Sequence, residues 1–232
     1  MARKNKCIAF FDVDETLIAT KSMFDFLGFL GDREAAIDGA AITAEMQRLN
    51  KEGVDRASIN VRFWRHFSGL RSATVQSLAR EWFAERQGKS SRFYIPSGLD
   101  RLEFHRSRDD VIAFVSGSAC VILEPVARQL GAEYILATRL VENDGIYNGE
   151  ILPPVMIGVG KQVAAQQLAR SLNINLADCH AYGDHWTDLP LLEAVGHSTA
   201  IGMTGELANI ARARGWSVLP GLEEFKREGA AA

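Results

Sequence analysis

Two aspartates, Asp12 and Asp14, stand one residue apart directly after the apolar run Ile8 to Phe11, in the segment CIAFFDVDETLIATKS. Side chains at i and i+2 of an extended chain share a face, so both carboxylates can point into one site. Two close carboxylates at the edge of an apolar core repel each other and are costly to bury without compensation. A divalent cation is the usual remedy, and an oxygen-only ligand set suits Mg2+. A DxD tripeptide is also common as a pair of turn or capping aspartates, so this stretch alone leaves both readings open.

Three further stretches carry groups that could act on an anion. In FVSGSACVILEPVARQLG an apolar run ends in Ser116-Gly117-Ser118 before a helical pattern. Backbone N–H groups at a helix start, with a serine hydroxyl, make an anion cradle; a serine cap with a tight-turn glycine looks the same. In GVGKQVAAQQLARSL, Lys161 falls at the start of a helical pattern, where a cation opposes the macrodipole and wants an anion nearby. Taken alone it reads more readily as a solvated surface lysine. In CHAYGDHWTDLPLLE, Asp184 ends an apolar run and Asp188 follows near a helix start. Asp184 could complete a metal site with the first pair and Asp188 could neutralise Lys161, or the two are a turn residue and an N-cap.

These residues need elements that bring them together. Short apolar runs recur at Ile8 to Phe11, Val111 to Val115, Tyr134 to Ala137, His180 to Tyr182, Thr199 to Ile201 and Ser217 to Leu219. Helix-like segments separate most of them. That alternation predicts a parallel, Rossmann-like α/β sheet with helices on both faces. Such sheets collect ligands at the carboxyl ends of their strands, which is where the acids lie. From about Ser22 to Arg92 only helical patterns occur, so an α-helical block inserted after the first strand is expected. Val61, Trp64 and Phe67 suggest a helical stripe within it. RLVENDGIYNGEIL carries Asp-Gly and Asn-Gly turn signals and reads as a hairpin; the tail KREGAAA is expected to fray.

The 232 residues are enough for one large domain, or one domain with a smaller partner. The net charge of −3 gives no general pull toward nucleic acid or anionic lipid. Cys7, Cys120 and Cys179 are scattered and odd in number, which argues against a disulfide framework or a structural zinc and fits a reducing compartment. The basic N-terminal residues lead into only five apolar ones, too few for a signal-peptide core. No run approaches the roughly 20 apolar residues of a membrane span. A cytoplasmic protein without nucleic-acid or membrane partners is expected.

In their order and spacing, DxDxT at Asp12 to Thr16, Ser116, Lys161 and GDxxxD at Gly183 to Asp188 resemble the four motifs of the haloacid dehalogenase superfamily of phosphohydrolases. The likeness spans essentially the whole chain. DGIYNGEI and DLPLLEAVGHSTAI look like the phosphoserine-phosphatase branch (subfamily IB), which carries a helical cap between the first two motifs. The resemblance implies a core of residues 1–21 and 93–232 and a cap of residues 22–92. It also implies a Mg2+-dependent phosphatase for a small phosphorylated metabolite. Asp12 would be the nucleophile that forms an aspartyl-phosphate, and Asp14 the proton shuttle. Asp12, Asp184 and the Asp14 carbonyl would hold the metal. Ser116 and the Gly117 N–H would grip the phosphoryl oxygens, and Lys161 would balance their charge. Asp188 and Thr16 would support the site. A phosphotransferase, a phosphoserine phosphatase proper and a non-catalytic phospholigand binder are the alternatives, the last opposed by four intact motifs. Asp14 favours phosphate esters over carbon–halogen bonds, because a halide leaving group needs no acid.

One position departs from the branch. Phosphoserine phosphatases carry a glutamate for the substrate ammonium seven residues after the second aspartate, and here that position is Lys21. A cation there disfavours phosphoserine and points to a substrate with an added anionic or hydroxyl-rich group, unless the lysine faces solvent. His185 and Trp186 are bulky for their motif and are candidates for the pocket mouth. Arg56, Arg62, Arg65, His66 and Arg71 are candidate substrate contacts from the cap. Trp64, Phe67, Trp82 and Phe83 read as cap core, and His105, His180 and His197 as structural.

Overall fold

A computed structural model describes residues 7–89 and 92–230; the basic N-terminal segment 1–6 lies outside the described residues. Seven strands form one sheet in the order β4-β3-β2-β1-β5-β6-β7. They are β1 (Ile8–Phe11), β2 (Val111–Ala119), β3 (Tyr134–Asn143), β4 (Ile146–Leu152), β5 (His180–Gly183), β6 (His197–Ile201) and β7 (Ser217–Leu219). All neighbours pair in parallel except β3 and β4. The six expected apolar runs are therefore six strands, and the seventh comes from the hairpin.

Strand β1 shows why both faces are covered. Ile8 and Phe10 join Val111, Ala113, Val115 and Ala181 in one apolar cluster, while Ala9 and Phe11 join Ile112, Phe114 and Tyr182 in the other. Two-residue alternation sends neighbours to opposite faces, and both faces are apolar, so the strand reads as one continuous run. The first face lies under α7 (Val159–Ser171), α8 (Leu189–Ala194) and α9 (Glu206–Ala213), through Ala165, Leu168, Leu191, Leu192 and Ala211. The second lies under α5 (Pro96–Arg106) and α6 (Cys120–Leu130), through Leu102, Ile122 and Val126. Each large apolar side chain so buried contributes about 1.5–3 kcal/mol.

The expected helical block is four helices: α1 (Ser22–Gly31), α2 (Gly39–Lys51), α3 (Arg56–Arg65) and α4 (Ser72–Lys89). Asp38 and Asp55 cap α2 and α3 by accepting from the N–H groups of Ala41 and Ser58, both at 2.9 Å. Asp25 of α1 receives Trp82 Nε1 at 2.8 Å and two Arg86 nitrogens at 2.7 and 2.9 Å, which ties α1 to α4. Trp64, Phe67, Trp82 and Phe83 are buried as expected, in an interior continuous with the second face of the sheet. Of the expected stripe Trp64 and Phe67 are buried, but Val61 is only half-buried and Asn60 beside it takes the buried position, with Phe63. The two chain passages between block and sheet run side by side, with Ala19 N–H donating to Phe93 O at 2.8 Å and Ile95 N–H to Leu17 O at 2.9 Å.

Two local expectations are corrected. The hairpin turns at Asp144-Gly145, both with positive φ, but Asn148-Gly149 lies inside β4. A Cβ on Gly149 would sit 3.0 Å from the Arg65 carbonyl, so this glycine serves close passage past α3 rather than a turn. The tail does not fray at Lys226: α10 (Leu222–Ala230) continues through it, and residues 231–232 lie outside the described residues. No helix among the described residues is long and apolar enough to cross a membrane.

Candidate active site

The chain order reverses around β1, with β2 on one side and β5 on the other. Loops leaving adjacent strands in opposite directions open a crevice at their carboxyl ends. Phe11 is level with Phe114 and Tyr182, so Asp12, Ser116 and Asp184 all emerge at this crevice. The β2–β3 register shifts between Ser116 and Ala119, which leaves Gly117-Ser118 out of regular pairing just after Ser116. The strand runs on to Ala119 and α6 begins only at Cys120, so the cradle is a bulged strand end, not the first helical turn anticipated from the sequence.

A cavity of about 470 Å³ fills the crevice and extends under the helical block. Asp12, Asp14, Lys21, Ser116, Gly117, Lys161, Asp184 and Asp188 all line it. Thr16 is buried and donates to Asp184 Oδ1 at 3.3 Å. Lys161 lies in the first turn of α7, and its Nζ is 2.6 Å from both Asp12 Oδ1 and Asp188 Oδ1. All three are at least nine-tenths buried. The anion wanted by a lysine at a helix start is thus a pair of aspartates. Asp188 also receives the His185 N–H at 3.2 Å, which fixes its orientation.

The acids outnumber their partners. One ammonium serves Asp12, Asp14, Asp184 and Asp188. Burial raises the Asp12 carboxyl to about 6 despite the opposing charge of Lys161. Burial, then the charge of Asp12, raises Asp14 to about 7. Asp184 is pushed well above the usual carboxylate range by burial and by Asp12, Asp188 and Glu15. Asp14 is hydrogen-bonded by Ser22, yet its Oδ1 is buried without a partner. Carboxylate oxygens of Asp12, Asp184 and Asp188 lie within 4.8 Å of one another. An excess of buried carboxylate with an orphaned oxygen fits a hard divalent cation. The close side-chain set includes Asp188, whereas the sequence reading named Asp14, through its backbone carbonyl.

Beside the acids, and joined to Asp14 through Ser22, is a polar wall. Ser116 Oγ accepts the Ser118 N–H at 3.1 Å, and the Ser118 and Ser22 hydroxyls are 2.8 Å apart. The Gly117 carbonyl accepts from Thr138 Oγ1 and from Asn60 Nδ2, both at 2.9 Å. A Cβ on Gly117 would come within 2.6 Å of Ile157 Cδ1, so a larger residue here would have to displace the end of that side chain.

The flanking candidates separate cleanly. Arg56 lines the cavity and has no ion-pair partner among the described residues. Arg62 and His66 instead hold Glu45, at 2.7 and 2.9 Å, while Arg65 and Arg71 are exposed away from the cavity. Lys21 reaches the cavity with its Nζ 3.6 Å from Glu15, so its charge is partly shared. His185 lines the mouth, held neutral by burial and by Arg56, which push it down to about 4. Trp186 is 48% exposed and outside the lining. Sequence reasoning missed Asn60, Ser22 and Thr187. Asn60 had a usable signal: a polar residue on the apolar stripe of α3.

Comparison with known proteins places the chain in a family. A probable phosphatase of Mycobacterium tuberculosis is 32% identical over 225 residues, 94% of this chain and 76% of the relative. A protein of unknown function from Bordetella pertussis superposes with a TM-score of 0.83 at 24% identity, covering 93% of this chain and 99% of that one. A substrate-bound phosphoserine phosphatase superposes with a TM-score of 0.66 at 18% identity over 94% of each chain. At those identities the two structures speak for the fold alone. The family model described as haloacid dehalogenase-like hydrolase matches residues 9–193, and the chain belongs to that family.

Proposed function

We propose that this chain is a Mg2+-dependent phosphatase that hydrolyses a small phosphomonoester through an aspartyl-phosphate on Asp12. The supporting observation is the arrangement of Asp12, held by Lys161 at 2.6 Å, beside Asp14 raised to about 7. A nucleophile that must stay ionised is paired with a cation, and its neighbour titrates near neutrality, where a proton shuttle works best. The Asp12 carboxylate attacks phosphorus as the ester oxygen leaves, and Asp14 gives that oxygen a proton. Asp14 then takes a proton from water, which attacks the aspartyl-phosphate and returns Asp12 with release of inorganic phosphate. Ser116 and the Gly117 N–H hold the phosphoryl oxygens, while Lys161 keeps Asp12 oriented and offsets its charge. Asp12, Asp184 and the Asp14 carbonyl would hold Mg2+, with Asp188 beside them; bound there, the cation neutralises charge on the transferring group.

The helical block, residues 22–92, would serve as the cap that closes over this chemistry. A 30% identical relative bears the name phosphoserine phosphatase, but outside Lys161 and the cluster of Asp12, Asp14, Asp184 and Asp188 the cavity wall carries two cations, Lys21 and Arg56, and Glu15 as its one further carboxylate for an ammonium. A phosphomonoester with a second anionic or hydroxyl-rich group fits better. Steady-state hydrolysis with Mg2+ across phosphoserine, phosphorylated hydroxy acids and sugar phosphates tests this. Efficient turnover of the acids or sugars supports it, and phosphoserine as the best substrate overturns the substrate assignment.

A further inference from the structure

Asn60 is 3% exposed, lies on the apolar stripe of α3 and lines the cavity. Its Nδ2 donates to the Gly117 carbonyl at 2.9 Å, across the gap between the helical block and the phosphate-side loop. That bond fixes the amide orientation, since the reversed side chain would set two acceptors against each other. Its Oδ1 is then left as a buried acceptor with no partner. A buried amide oxygen without a donor is costly; Phe63 beside it is apolar, and the indole Nε1 of Trp64, four residues on, makes no hydrogen bond to it and is itself without a partner. From the same helix Arg56, one turn earlier, and Ile59 also line the cavity, and α2 adds the polar side chains of Thr43, Gln47 and Asn50, none of which hydrogen-bonds Oδ1.

We infer that Asn60 is a specificity-determining residue whose Oδ1 accepts a hydrogen bond from a hydroxyl of the bound phosphomonoester. This deepens the phosphatase reading and rests on it for the identity of the phosphoryl end. A donor is required because the free atom is an acceptor. A hydroxyl is favoured over an ammonium because Arg56, one turn away on the same helix, lines the cavity as a cation with no ion-pair partner among the described residues. The substrate class is thus a phosphorylated hydroxy acid or polyol with a free hydroxyl near the ester carbon. Through Nδ2 the same side chain ties α3 to the phosphate-side loop at Gly117. Sites built to meet a substrate hydroxyl reject the analogue that lacks it, because a buried polar group is then left unpaired.

The test is binding by calorimetry on an Asp12→Asn protein with Mg2+, so that ligand is not consumed. The probes are 3-phosphoglycerate and 3-(phosphonooxy)propanoate, which differ by one hydroxyl. We expect the hydroxylated compound to bind roughly tenfold or more tightly, and Asn60→Leu on that background to bring the ratio close to one. Asn60→Ala serves if the leucine variant misfolds; Thr138 still satisfies the Gly117 carbonyl in either. Equal affinity for the two probes, no binding of either, or an unchanged ratio after substitution overturns the inference. Hydrolysis of 4-nitrophenyl phosphate by the unmodified protein is scored separately, so failure of the phosphatase reading is told apart from failure of the Asn60 assignment.

Discussion

The two ends of the central strands hold two buried polar clusters of opposite character. At the amino-terminal end, His105 Nδ1 lies 2.8 Å from Asp110 and Nε2 lies 2.8 Å from the Tyr182 hydroxyl, with Arg108 on Asp110 at 3.2 Å. Cys7, His105 and His180 there have ligand atoms within 4.8 Å, as do Asp12, Asp184 and Asp188 at the other end. Grouping alone does not distinguish the two clusters. At the histidine end both ring nitrogens of His105 are already spent on protein partners, whereas at the acid end carboxylates outnumber cations and Asp14 keeps an orphaned oxygen. A satisfied buried network holds a fold together; a cluster left short of partners is arranged for something that arrives.

That contrast can be broken most forcefully with Asp12→Asn. It should fold normally yet lower phosphatase turnover by at least roughly a thousandfold, checked by steady-state kinetics and a thermal melt. Lys161→Met should cost both activity and about 3–5 kcal/mol of stability, because it strands Asp12 and Asp188 as buried charges. Chemical denaturation reads this, and the deficit should shrink on acidification as a stranded carboxyl takes up a proton. Mg2+ at a hundred times its dissociation constant should stabilise the protein by about 2.7 kcal/mol, with no such shift in Asp184→Asn. At the opposite end, His105→Phe should cost about 1–3 kcal/mol for each polar group left unpaired while kcat of the folded protein is preserved.

The smallest expected effect is a pH dependence at the histidine end. Burial and the neighbouring His105 and His197 lower His180 from 6.5 to about 4. The unfolded chain therefore takes up this proton first. The stability His180 contributes is complete above about pH 6.5 and is lost as pH falls toward about 4. His180→Gln should flatten the melting-temperature profile across that window.

Much of this contrast was legible in the sequence, because chemistry at a sheet's carboxyl end is written in short local motifs. Asp12, Asp14, Lys161 and Asp184 each follow a strand or open a helix, so local spacing fixes where they emerge. The parallel sheet was legible because β1 is apolar on both faces. Contacts made between distant helices left no such trace. Arg56 and Arg62 look alike in the sequence, and only the packing of α2 on α3 gives Glu45 to one and the cavity to the other. Asn60 takes a buried position that a periodicity judged from Val61 assigned to its neighbour. Asn148-Gly149 misled because a glycine needed for close passage carries the same letters as one needed for a turn.

In the proposed mechanism Asp12 is a nucleophile and not merely one metal ligand among several acids. Acid quenching during turnover with Mg2+ and a phosphomonoester, followed by peptide mass spectrometry, tests it most directly. Phosphate covalently attached to the peptide carrying Asp12, absent in Asp12→Asn, is the predicted result. Sustained hydrolysis with no phosphorylated peptide, or with undiminished turnover in Asp12→Asn, would contradict it.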